Sequence, residues 1–161
     1  NSGVHIRGVD ANANNTNIYI GGAVANQRKT AIIHDPVGGY CRGDLHFCLE
    51  NSADLSDVDI TDSKMVIKAD GKIGIAIDNP NGQFHIHQSS AGSVTAATDA
   101  NDLVVESSAN VGMSFLTAAN SLARIKFGDP DATNAGAFVY NHQNDKLSIV
   151  TATGNLSLIH I

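Results

Sequence analysis

The 161 residues carry 10 Lys and Arg against 16 Asp and Glu, a formal net charge of -6, and 42% of them are hydrophobic. That balance argues against a nucleic-acid-binding surface, which needs clustered Lys and Arg to replace phosphate counterions. It also excludes a disordered acidic tail, and no run approaches the ~18 apolar residues that span a bilayer.

Aromatic residues make up 5% of the chain and Trp is absent. A core must therefore come from Ile, Val, Leu, Ala and Met, without the large rings that usually supply much buried area. Small chains of this kind often finish their core against copies of themselves. The two cysteines, Cys41 and Cys48, lie in one short segment. Two Cys do not make a disulfide framework, and a pair of small buried or half-buried thiols is expected.

In chain order the pattern is period two, in short runs bounded by turn residues. Val4-His5-Ile6 is followed by the polar tract Asn12 to Asn17, Ile18-Tyr19-Ile20 and Gly21-Gly22. Ala31-Ile32-Ile33 closes at Asp35-Pro36. Leu45-His46-Phe47-Cys48-Leu49 alternates most clearly, with Leu45, Phe47 and Leu49 on one face and His46 and Cys48 on the other. Met65-Val66-Ile67 leads to an Asp70-Gly71 turn, then to Ile73-Gly74-Ile75, Asn79-Pro80-Asn81-Gly82 and Phe84-His85-Ile86. The Ser, Ala, Thr and Gly of 89–101 read as a linker or long loop. Strands are then expected at Leu103-Val104-Val105, Met113-Ser114-Phe115, Ile125-Lys126-Phe127, Phe138-Val139-Tyr140 and Leu147-Ser148-Ile149. Leu116 to Arg124 has some helical propensity, but its flanks are strand-like and a hairpin is preferred.

The pattern repeats internally. Asp35-Pro36 answers Asp129-Pro130, Gly43 answers Gly136, and Leu45, Phe47 and Asn51 answer Phe138, Tyr140 and Asn144. A polar insertion, Ser52 to Ser63, then precedes Met65, whereas Leu147 follows almost at once. The expected architecture is all-β: two tandem modules of short antiparallel strands, 1–88 and a truncated 102–155, joined by 89–101.

Asp70-Gly71-Lys72-Ile73-Gly74-Ile75, then Asn79-Pro80, then Phe84-His85-Ile86, resembles a motif of bacteriophage tail fibres and tailspikes found upstream of an endosialidase-type intramolecular chaperone. The family reads Asp-Gly-x-Val-Gly-Ile-Gly, then Asn-Pro or Ser-Pro, then Leu-x-Val. The stretch from Ile125-Lys126-Phe127-Gly128-Asp129 through Ala135-Gly136, Tyr140, His142 and Leu147 resembles a second signature of the same proteins. The match departs at Ala76, where the family usually has Gly, and at Ile77-Asp78, where it usually has Thr. The chaperone and its catalytic Ser and Lys are absent from this sequence, so self-cleavage is not carried over.

The resemblance implies an intertwined homotrimeric fibre, β-prism or β-sandwich-like, located in the virion tail. The chain would be a structural shaft segment joined to adjacent tail-fibre domains and supporting host-receptor binding. Ile73, Gly74, Ile75, Phe84, Ile86, Ile125, Phe127, Phe138 and Tyr140 would be its structural residues, with Gly74 allowing close backbone approach at a crowded axis. The alternative is a module that binds a host receptor or glycan through exposed loops such as 52–63. Neither nucleic acid nor membrane insertion is expected.

Candidate chemistry is thin. His85 and His87 share a strand side and could ligate a metal. Phe84 and Ile86 form the apolar face, however, so the imidazoles are expected to face solvent and no metal or cofactor site is assigned. Arg42-Gly43-Asp44 spells an integrin-binding tripeptide, but Gly43 occupies the strand start that Gly136 repeats without charged flanks, so the spelling reads as chance. Asp57, Asp59, Asp62, Asp129 and Asp131 read as turn-formers. No nucleophile elbow or phosphate loop is present, and an enzyme is not expected. Leu156-Ser157-Leu158-Ile159-His160-Ile161 looks like a translated sequencing adaptor, and both ends of the chain read as cuts.

Overall fold

The computed structural model describes residues 15–20 and 28–151. Val4-His5-Ile6 and the adaptor-like residues 156–161 lie outside the described residues. The fold is all-β, with ten strands in two sheets and a single turn of 3-10 helix, Ile60–Asp62, among the described residues. It divides into two compact units, 1–111 and 112–161.

The first unit is one seven-stranded sheet in sequence order: β1 (Thr16–Ile20), β2 (Thr30–Pro36), β3 (Gly43–Leu49), β4 (Ser63–Ile67), β5 (Ile73–Ile75), β6 (Phe84–His87) and β7 (Leu103–Glu106). From β1 to β5 the pairing is antiparallel. The Asp70-Gly71 turn forms as expected: Gly71 has φ +92°, its N–H donates to Lys68 O at 2.9 Å, and the Lys68 N–H donates to Lys72 O.

The remaining pairings are parallel, β5 with β6 and β6 with β7, where antiparallel strands were expected throughout. Parallel neighbours need a return crossover, and here 76–83 and 88–102 supply it without a helix. Strands this short leave little distance to cover. Because β7 pairs with β6, Leu103-Val104-Val105 belongs to the first unit. The division falls at 111/112, not at the 89–101 stretch.

The second unit is a three-stranded antiparallel meander of β8 (Leu122–Phe127), β9 (Gly136–Asn141) and β10 (Lys146–Thr151). Its pairing explains the internal repeat. Phe138 faces Ile149 and Tyr140 faces Leu147, as Leu45 faces Ile67 and Phe47 faces Met65 in β3–β4. Gly43 and Gly136 each open the second strand of their meander. Leu116 to Arg124 is not helical. It passes through a turn at Ala119-Asn120 into β8, with no hairpin of its own, and Met113-Ser114-Phe115 joins no ladder.

Within one chain, burial falls on the histidine side of the sheet, where His85 was expected to face solvent. The buried residues of the first unit include Ala31, Ile33, Asp44, His46, Cys48, Val66 and His85. These lie on the face opposite Leu45, Phe47 and the Ile73/Ile75 pair. Val58, from the Ser52–Ser63 insertion, completes this core with Ala31, Ile33 and Cys48, and Ile60 packs beside it. The insertion is anchored by the Arg28–Asp57 and Lys29–Asp54 ion pairs. Part of it is therefore a plug for the sheet and not a free loop. Among the described residues, no helix is long and apolar enough to cross a membrane.

Candidate functional site

The sheet register assembles the most prominent surface of the first unit. One row runs Ile18, Ile32, Phe47, Met65, Ile75, Ile86, Val105, one residue from each strand. A second row beside it runs Thr16, His34, Leu45, Ile67, Ile73, Phe84, Leu103. Directly paired residues share a face, and so do residues two apart. The two rows are therefore one continuous band, apolar except for Thr16 and His34.

None of these residues is buried. At the parallel end Phe84 and Ile86 are each 38% exposed and Leu103 is 49% exposed. Parallel strands are ordinarily covered on both faces, and contiguous exposed apolar area marks an interaction surface. The second unit repeats the feature, with Ile125, Phe127, Phe138, Leu147 and Ile149 all exposed on one face of β8–β9–β10.

The opposite face of the first unit carries its polar chemistry. His85, expected in solvent, is fully buried. The 76–83 connection folds over it, and Gly74 permits the approach: a Cβ there would collide with the Ile77 carbonyl oxygen and crowd Val66. The close approach allowed by Gly74 is thus made to a segment of the same chain. Ala76 begins this connection at φ +56°, the left-handed region that Gly favours.

Three imidazoles meet the connection. His85 Nδ1 accepts from the Asn81 N–H at 3.2 Å. His87 Nδ1 lies 3.2 Å from Ala76 O, to which it must donate. His46 Nδ1 lies 2.9 Å from Ser63 Oγ and 3.9 Å from Asp78 Oδ1.

Glu106 stands between the β6 histidines. Its Oε2 is 3.1 Å from His85 Nε2 and its Oε1 is 3.9 Å from His87 Nε2. The first contact is close, yet the carboxylate lies off the ring N–H axis and His85 Nε2 has no hydrogen bond of ordinary geometry. Glu106 Oε1 also accepts from the Ala91 N–H at 2.7 Å, holding the 89–101 segment to the sheet.

This arrangement is poorly suited to a metal. A neutral imidazole that ligates through Nε2 carries its proton on Nδ1 and donates it outward, but His85 Nδ1 faces a backbone donor. Among the described residues, no group of three His, Cys, Asp or Glu side chains has metal-holding geometry. Ser63, His46 and Asp78 do not form a triad either. Hydroxyl and carboxylate approach the same ring nitrogen, whereas nucleophile activation requires opposite ones. His46 Nε2 is buried without a partner.

The other singled-out residues have local roles. Asp44 of the Arg42-Gly43-Asp44 tripeptide is buried, ion-paired with Lys68 and accepting from the Ala69 N–H at 2.8 Å. Its carboxylate is committed within the fold. Asp59 caps the 3-10 turn in a capping box with Asp62, and Asp129 accepts from the Asp131 and Ala132 amides. Cys41 is exposed and Cys48 buried, both free, and desolvation pushes the Cys48 thiol up to about 11.

Comparison with protein-family models, curated proteins and solved structures finds no match.

Proposed function

We propose that this chain is a structural segment of a bacteriophage-type tail fibre or spike shaft, in which copies of the chain, three by the family resemblance, cover one another's apolar sheet faces. The role is architectural and involves no catalysis. It supports a receptor-binding tip through adjacent fibre domains.

The observation that carries this reading is the two-row apolar band that crosses all seven strands with no residue buried, and with its β1, β6 and β7 members Ile18, Phe84, Ile86, Leu103 and Val105 exposed. Magnitudes favour self-association. Taking one half-exposed Ile, Leu or Phe fully out of water contributes about 1 kcal/mol. A band of this length therefore rivals the roughly 4–15 kcal/mol cost of associating two bodies. The second unit adds a face of the same kind. The alternative, receptor or glycan binding through 52–63, gains no support from an insertion held by two ion pairs and a buried Val58.

The test is immunogold labelling of phage particles that encode the chain, with antibody raised against 28–151. Label along the tail fibres is expected. Particles labelled only at the head, or not at all, would refute the assignment.

A further inference from the structure

We propose that His85 is an acid-operated latch on the 76–83 connection, releasing the Asn81 amide when its imidazole gains a second proton. The inference is independent of the proposed function and rests on which atoms face each ring nitrogen.

A backbone N–H can only donate, so the Asn81 contact requires a lone pair on His85 Nδ1. The neutral ring then carries its proton on Nε2, towards Glu106. A second proton can be added only at Nδ1. It would set two donors face to face across the present 3.2 Å contact and remove the bond. The imidazolium would still have a carboxylate beside it, since Glu106 Oε2 lies 3.1 Å from Nε2. Protonation therefore exchanges a hold on the connection for a stronger hold on β7.

The neighbouring groups favour this exchange over general unfolding. On the same strand, His87 must donate from Nδ1 to Ala76 O whether neutral or charged, so the start of the connection stays fixed. From β7, the only charged group facing His85 is Glu106, itself held by the Ala91 N–H. From β5 the neighbour is Gly74, which carries no charge. On the connection the titratable group is Asp78, which lies 3.9 Å from His46 Nδ1 on β3. Asn81 itself is exposed, so a small outward movement lets its released amide meet water.

The test is NMR of the 15N-labelled chain, following the scalar coupling across the Asn81 N–H and His85 Nδ1 together with amide exchange over 77–83. At about pH 7.5 the coupling should be present, and near pH 5.5 it should vanish while Asn81 exchange, corrected for its intrinsic pH dependence, rises at least ~10-fold. In His85→Asn the side-chain oxygen replaces Nδ1 as a non-titrating acceptor, and Asn81 protection should no longer depend on pH. No coupling at the higher pH, a coupling that persists at the lower one, or an equal acid response in the variant would each overturn the latch. The first two outcomes need only the wild-type chain.

Discussion

The meanders β2–β3–β4 and β8–β9–β10 share one plan and differ in what covers them. In both, the strand after the opening glycine alternates large apolar residues on one side, Leu45 and Phe47 or Phe138 and Tyr140. In both, those residues pair with apolar partners on the next strand, Ile67 and Met65 or Ile149 and Leu147. The first meander also has a covered back, because the insertion before β4 places Val58 over Ala31, Ile33 and Cys48. The second has no such insertion, and Ala137 is its only buried residue among those described. The covered face thus varies with local insertions, whereas the exposed apolar face is common to both. A feature that repeats while its surroundings change is the one the repeat is built around, and here that is the uncovered face.

Adjacent residues on β2 separate the two faces most sharply. Ile33 is buried on the covered side, so Ile33→Asp should unfold the first sheet, costing about 3–5 kcal/mol, read as loss of a cooperative thermal transition. Ile32→Asp, one residue away on the apolar band, should leave the strand signature in circular dichroism intact and abolish association. Similar unfolding by both substitutions would remove the distinction between the faces.

A smaller effect is expected from the insertion. Val58→Ala should destabilise the first unit by about 2 kcal/mol, measured by denaturant midpoint, without changing the number of chains in the assembly. The two thiols probe the same asymmetry chemically. Cys41 should alkylate readily near pH 8, whereas Cys48 should remain unlabelled until the chain unfolds. Burial and a thiol pKa pushed up to about 11 both keep its thiolate scarce there. The smallest effect concerns Ala76. Replacing it with Gly removes left-handed strain at φ +56° but adds unfolded-state entropy, for a net gain of up to about 1 kcal/mol in thermal stability.

Much of the fold was legible in the sequence, because alternation and turn residues are local signals. Every strand of the ladder matches an apolar run, and the repeat maps onto two meanders. What alternation does not encode is which face turns inward. Taking Phe84 and Ile86 as the core face, shared with copies of the chain, placed His85 in solvent on the other side. Instead 76–83 folds over His85, an arrangement set by Gly74 and a left-handed Ala76 and not by hydrophobicity. The parallel pairing of β5, β6 and β7 was hidden for a related reason, since their crossovers are short loops without the helical periodicity that usually marks one. The Glu106 contacts with His85 and His87 were not legible either, because only the β6–β7 register brings residues so distant in sequence together. By contrast, the Arg42-Gly43-Asp44 spelling was discounted on the repeat alone, and the structure adds that Asp44 is ion-paired with Lys68.

The central claim is that the apolar band is covered by further copies of the chain, and light scattering of the purified protein tests it most directly. The account predicts a molar mass that is an integer multiple of the 16.8 kDa chain, threefold on the trimer reading, and that falls to the single-chain value in Ile32→Asp. A folded wild-type chain that stays at 16.8 kDa across the accessible concentration range would contradict it.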